Sequence, residues 1–189
     1  PTEILIIADQ TANPEFVAAD LISQAEHDPN AAAVLVTNSP ALIVAVEQAL
    51  DKQIPLAANH SRISQALAGV QSALVLVESI ASAIQVANAY ATEHLEIHCA
   101  DSQAVASQIT NAGAVFIGEY SPVSLGDYLA GSNHVLPTGE QAKFSSGLGV
   151  ATFLRSQQHI NYSKQGLKSV VHSLVRFSEA ESLSAHGRA

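Results

Sequence analysis

Five short apolar runs, separated by stretches that carry helix signals, constrain this chain more than any other feature. They are Ile4–Ala8, Ala33–Val36, Ala73–Val77, Leu95–Ile97 and Ala114–Ile117. Runs of this length and character read as strands, and Ile4–Ala8 as one buried on both faces. The intervening segments open with capping chemistry. Asn13-Pro14 and Ser39-Pro40 each place a side-chain acceptor before a proline at the first helical position. The first helix is expected to run to about His27 and stop at Pro29. Val17, Leu21 and Ala25 form its apolar stripe, and Asp20, Gln24 and His27 share its polar side. Further helices are expected over Ala41–Leu50, Ser79–Asn88 and Ser102–Thr110. Strands alternating with such helices predict an α/β fold: a parallel, incomplete Rossmann-like sheet flanked by helices, with right-handed crossovers.

Beyond Gly118 the pattern changes. Gly126, Gly131, Pro137, Gly139, Gly147 and Gly149 give residues 119–150 the composition of loops. From about Lys164 the chain is helical again, with Leu167, Val170, Val171, Leu174 and Val175 at amphipathic spacing. This C-terminal helical arm is too short to form a core and needs another surface. The expected organisation is an α/β region over 1–150, divisible into lobes at about 1–90 and 91–150, then a linker and arm over 151–189. The chain starts at Pro1, has no Met and enters a strand at once, so it reads as an excerpt of a longer protein.

Composition narrows the function. A 48% hydrophobic, 13% charged chain suits a compact globular protein. A net charge of −9, with only 8 Lys and Arg and no basic cluster, argues against nucleic acid and against an anionic membrane surface. Cys99 is the sole cysteine, which rules out an internal disulfide and suits a reducing compartment such as the cytoplasm. No apolar run reaches membrane-spanning length, and no signal-peptide pattern is visible.

Three stretches could carry chemistry, and each also has a plain structural reading. Gln24 and His27 are one helical turn apart and could offer an oxygen and a nitrogen to a divalent metal, or simply form a solvated polar face. Glu93-His94 could move protons, or be a wet strand entrance. Asp127 and His134 lie on a glycine-rich stretch that could hold a ligand, or be an ordinary turn. Glu181 and His186 fall on a helix end that could merely fray. Gly147-Leu-Gly149 has Thr152 where a dinucleotide fingerprint needs its third glycine, and no strand precedes it. Cys99 could be a nucleophile, but it lacks a nearby base and reads as a small buried residue. His60, His98, His159 and His172 have no matching context and read as structural.

Taken in order, Thr2-Glu3, Asp9-x-Thr11-Ala-Asn13-Pro14, Ala19-Asp20-Leu21-x-Ser23-Gln24-Ala25-Glu26-His27-Asp28, Glu93-His94-Leu95, Gly126-Asp127-Tyr128, Gly131-x-Asn133-His134-Val135-Leu136-Pro137-Thr138 and Glu181 with His186 resemble the histidinol dehydrogenase family. The resemblance runs the whole chain. It implies oxidation of L-histidinol to L-histidine in two NAD-dependent steps through the aldehyde. It also implies Gln24, His27, Asp127 and His186 as zinc ligands that grip substrate as well, and Glu93 and His94 as the proton-transfer pair, His94 also touching substrate. Thr2, His134 and Glu181 would contact substrate, Thr2 standing where the family usually has serine. The family is a homodimer whose C-terminal arm crosses to the neighbour. A large N-terminal portion carrying most of the NAD site has no counterpart here, so the chain alone is expected to be inactive. Rival readings are a non-catalytic zinc- and imidazole-binding α/β module, a thiol-dependent aldehyde dehydrogenase and a pure assembly element.

Overall fold

A computed structural model describes residues 2–189. The chain divides into two compact units, Pro1–Thr152 and Phe153–Ala189. The first contains strands β1 (Glu3–Ala8), β2 (Ala32–Thr37), β3 (Ala73–Leu76), β4 (His94–His98) and β5 (Ala114–Ile117). Its helices are α1 (Pro14–Ala25), α2 (Pro40–Gln53), α3 (His60–Leu67), α4 (Ile80–Tyr90), α5 (Ser102–Ala106) and α6 (Val123–Tyr128). The strands form one all-parallel sheet in the order β3-β2-β1-β4-β5. This is an α/β fold, as the alternation of the sequence predicts.

The pleat of β1 sends its side chains to two cores. Ile4 and Ile6 pack with Val17, Leu21, Leu42 and Val46 on one face. Leu5 and Ile7 pack with Ala83, Ile84, Ala87, Leu95 and Ile97 on the other. Every residue of β1 is buried, and each Ile or Leu enclosed this way contributes about 1.5–3 kcal/mol of transfer free energy. β3 and β5 are the sheet edges and stay partly open.

The helix starts follow the capping residues. Asn13 accepts from the Glu15 N–H and Ser39 from the Leu42 N–H, each with proline inside the first turn. The ends differ from expectation. α1 closes at Ala25, with the Glu26 N–H bonded back to the Ile22 carbonyl and the His27 N–H to the Gln24 carbonyl, which leaves His27 outside the helix. α5 is one short helix ending at Ala106 rather than Thr110. α3 is unexpected; its Ile63 and Ala66 complete a small core with Ala25. Between α4 and β4 the chain reverses through Ala91, buried in the left-handed region at φ 54°. A non-glycine residue held there costs roughly 1–2 kcal/mol, and it delivers Thr92 and Glu93 to the start of β4.

The second unit is built on α7 (Lys164–Ala180), capped by Ser163, whose side chain accepts from the Gly166 N–H. Leu167, Val170, Val171, Leu174 and Phe177 are solvent-exposed along it. A tight turn over His186–Arg188 follows, and the Leu183 N–H returns to the Ser178 carbonyl at 2.7 Å. No helix among the described residues is long and apolar enough to cross a membrane.

Candidate active site

Strand direction decides which residues meet. β1 and β4 are parallel neighbours with Ile4 opposite His94, so Thr2 and Glu3 stand beside Glu93 at the amino edge of the sheet. α1 runs back from the carboxyl end of β1 and brings Gln24, at its last turn, to that same edge. The four residues bond in series. The Gln24 amide nitrogen donates to the Thr2 hydroxyl at 2.9 Å, and that hydroxyl donates to Glu93 Oε2 at 2.5 Å. The Glu3 N–H donates to the same carboxylate oxygen at 3.1 Å. Among the described residues no hydrogen bond occupies the side-chain carbonyl oxygen of Gln24, the atom of a carboxamide that a metal takes.

Glu93 and His94 are 8% and 5% exposed, which corrects the reading of a wet strand entrance. His94 Nδ1 lies 3.2 Å from the Glu3 carbonyl oxygen and 3.6 Å from Glu93 Oε2. A carbonyl only accepts, so Nδ1 carries the proton and Nε2 presents its lone pair. Among the described residues Nε2 is buried without a hydrogen-bond partner, beside the Phe116 ring at 6.1 Å between centroids. A basic nitrogen in the correct tautomer and a neighbouring carboxylate make a pair of proton acceptors of unequal strength. Glu3 itself accepts from the Gly139 N–H, which ties the 138–140 turn to this edge. Burial pushes the Glu3 carboxyl above its usual range, and the Glu93 carboxylate adds to the rise against the Gly139 N–H.

In the first unit, His27, Asp127 and His134 make no side-chain hydrogen bond to this network among the described residues. His27 is exposed just past α1. Asp127 is half-buried and helical, in α6 rather than on a loop. Gly126 is buried beneath the Phe116 ring, where an added Cβ would come within 2.7 Å of a ring carbon; close packing, not loop freedom, requires the glycine. His134 is exposed in an irregular stretch. Glu181 caps α7 and His186 begins the terminal turn, both exposed in the second unit. Cys99 is half-buried, and burial pushes its thiol up to about 12, which suits an inert side chain.

A second polar cluster lies on the same face of β4 and was not anticipated. Asp20, Glu96 and His98 are the one group of three His, Cys, Asp or Glu side chains among the described residues close enough to share an ion. The signal was present: residues 94, 96 and 98 are polar at every second position, between Leu95 and Ile97. A carboxyl edge is where open parallel sheets usually bind ligands. Here that edge holds a cleft of about 400 Å³ lined by Thr11, Ala12, His98, Cys99, Gly118, Glu119 and Tyr120. Its first βα turn, Asp9 to Asn13, has no glycine, and the lining includes Glu119 but no lysine or arginine, a poor fit to a dinucleotide's pyrophosphate.

Comparison with known proteins settles the family. A family model described as histidinol dehydrogenase matches residues 1–189. The chain belongs to the histidinol dehydrogenase family. Among its relatives, histidinol dehydrogenase of Thermobifida fusca is 59% identical over 189 residues, and that of Leifsonia xyli subsp. xyli 56% over 188. Each alignment takes in 100% of this chain and 43% of the relative. The crystal structure of histidinol dehydrogenase from Elizabethkingia anophelis superposes with a TM-score of 0.91 at 38% identity, over 100% of this chain and 43% of that one. The chain thus spans less than half the length of the family members it matches.

Proposed function

We propose that this chain supplies the substrate- and metal-handling part of an NAD-dependent histidinol dehydrogenase, which converts L-histidinol to L-histidine through L-histidinaldehyde in cytoplasmic histidine biosynthesis. The observation that carries the reading is the buried Thr2–Gln24–Glu93–His94 network in a chain matched end to end by that family. Gln24, His27 and Asp127 would hold zinc, joined by His186 from a partner's arm in a homodimer; two hard oxygens and two imidazoles suit a cation that keeps positions open. Bound zinc would orient the imidazole and amine of the substrate, and NAD would accept the two hydrides. NAD would be held mainly by residues outside this chain, consistent with the poor fit of the carboxyl-edge cleft.

The residues here then have separate tasks. His94 Nε2 takes the proton of the alcohol as its carbon loses hydride. The Glu3 carbonyl holds the ring in the tautomer that allows this. Glu93 takes a proton from the water that adds to the aldehyde, and Thr2 and the Glu3 N–H fix one of its oxygens. Thr2, His134 and Glu181 contact substrate alongside the ligand residues.

The sealed position of His94 Nε2 favours a second reading for the chain taken alone: a zinc- and imidazole-binding module without turnover. One experiment separates the two. The purified chain is assayed for NADH formation from histidinol, for zinc content and for histidinol binding. Zinc and histidinol binding without NADH supports the module reading for the isolated chain. Steady turnover supports the full enzyme reading, and absence of both metal and ligand binding rejects both.

A further inference from the structure

We propose that Glu96 is a positioning residue for the candidate site: its buried carboxylate ties α6 and α1 to β4, and so sets where Asp127 and Gln24 stand relative to Glu93 and His94. The proposal rests on the reading of Gln24 and Asp127 as metal ligands, and adds how they are placed. Glu96 is 0% exposed and points from the strand that begins at His94. Its Oε1 accepts the Val123 N–H at 2.9 Å, which fastens the first residue of α6 to the strand. Asp127 follows one helical turn later. Its Oε2 faces Asp20, one turn before Gln24 on α1, and His98 Nε2 at 3.4 Å. One carboxylate on the strand that presents His94 therefore meets both helices that present expected ligands, α1 with Gln24 and α6 with Asp127.

The second oxygen shows how the tie to α1 is made. Glu96 Oε2 is buried and has no hydrogen-bond partner, which is costly for an ionised carboxylate. His98 Nε2 lies 3.4 Å from that oxygen without forming a hydrogen bond to it, and 3.9 Å from the Asp20 carboxylate. A proton on Asp20 supplies the missing donor. Burial first, then the Glu96 charge, pushes the Asp20 carboxyl up to about 8, so the pair holds one proton at neutral pH. The other groups facing Asp20 are Glu119 and Tyr120, across a cleft otherwise lined by Phe16, Ala19 and Pro122; no cation is among them.

The test uses hydrogen exchange by mass spectrometry, corrected for the intrinsic rate at each pH, with cobalt affinity measured in parallel. Glu96→Ala should speed exchange over residues 121–130 at least tenfold. It should also weaken cobalt binding about 10–100-fold, the usual cost of losing a group that orients a ligand. Glu96→Gln keeps an oxygen for the Val123 N–H and should stay within threefold of the parent in both. In the parent, protection of 121–130 should fall as pH rises through about 8. In Asp20→Asn, whose amide is a permanent donor, it should not, and this comparison decides even if Glu96→Ala does not fold. Unchanged exchange in Glu96→Ala, equal loosening in Glu96→Gln, or identical pH profiles in the parent and Asp20→Asn would overturn the proposal. Failure of the parent to bind cobalt would remove the metal reading instead, and the exchange results would still decide the role of Glu96.

Discussion

Replacing Thr2 with valine keeps the shape of the side chain and removes only the hydroxyl at the centre of the amino-edge network. That oxygen donates to Glu93 Oε2 at 2.5 Å and accepts from the Gln24 amide at 2.9 Å. A hydrogen bond to a charged group is worth about 1.5–3 kcal/mol and a neutral one about 0.5–1.5 kcal/mol. Glu93 keeps the Glu3 N–H, so the loss falls in the lower half of the sum, about 2–3 kcal/mol. Gln24 is only 3% exposed, and water replaces little of what its amide loses. For a chain of this size the midpoint of thermal unfolding should drop by roughly 4–12 °C. Urea denaturation followed by circular dichroism gives the free energy directly, with Thr2→Ser as the control that retains the hydroxyl. Thr2→Val within about 0.5 kcal/mol of the parent, where surface changes usually fall, would show that the hydroxyl does not hold this edge together.

Other substitutions probe neighbouring features. Gly113→Ala would place a Cβ 2.5 Å from the Glu93 carbonyl oxygen, against backbone rather than a side chain that could move; a loss of about 1–3 kcal/mol in urea melts is expected, and a neutral result would contradict the close approach. Because Asp20 titrates higher folded than unfolded, its protonation stabilises the fold fully below about pH 4, and this contribution is lost as pH rises to about 8. Urea melts across that range should show stability falling with pH in the parent and a flatter profile in Asp20→Asn; parallel profiles would refute the assignment. With its thiol near 12, Cys99 should react with iodoacetamide at pH 8 far more slowly than free cysteine, as mass spectrometry can follow. Leu95→Ala, at a fully buried position of β4, should cost about 2–5 kcal/mol in the same melts.

The sheet was legible because its signals are local. Apolar runs and Asn-Pro or Ser-Pro starts fix strands and helix entries within a few residues of chain. Helix ends were harder: Glu26 closes α1 through backbone bonds that any residue could make, so Pro29 misplaced the boundary. The sequence puts Asp127 on a loop because it offers Gly126 as a turn glycine. Its true reason is an aromatic ring carried by β5, about ten positions earlier, and no local pattern announces that. The site divides the same way. Glu93 and His94 stood out as a pair, while Glu3 contributes through its backbone, which is silent about side-chain chemistry. The sequence leaves Glu96 unmarked and His98 structural, because their apolar neighbours Leu95 and Ile97 mask the alternation that places them on one buried face with His94.

Because the Thr2–Glu93 network is gathered where β1 and β4 begin, the turns at the far rim of the sheet lie a strand's length from it. The exposed turn between β5 and α6, around Glu119 and Tyr120, opposes that network across the length of a strand. That turn leads straight into α6, so a change made there reaches Asp127 by way of Val123 and Glu96 rather than through the strands.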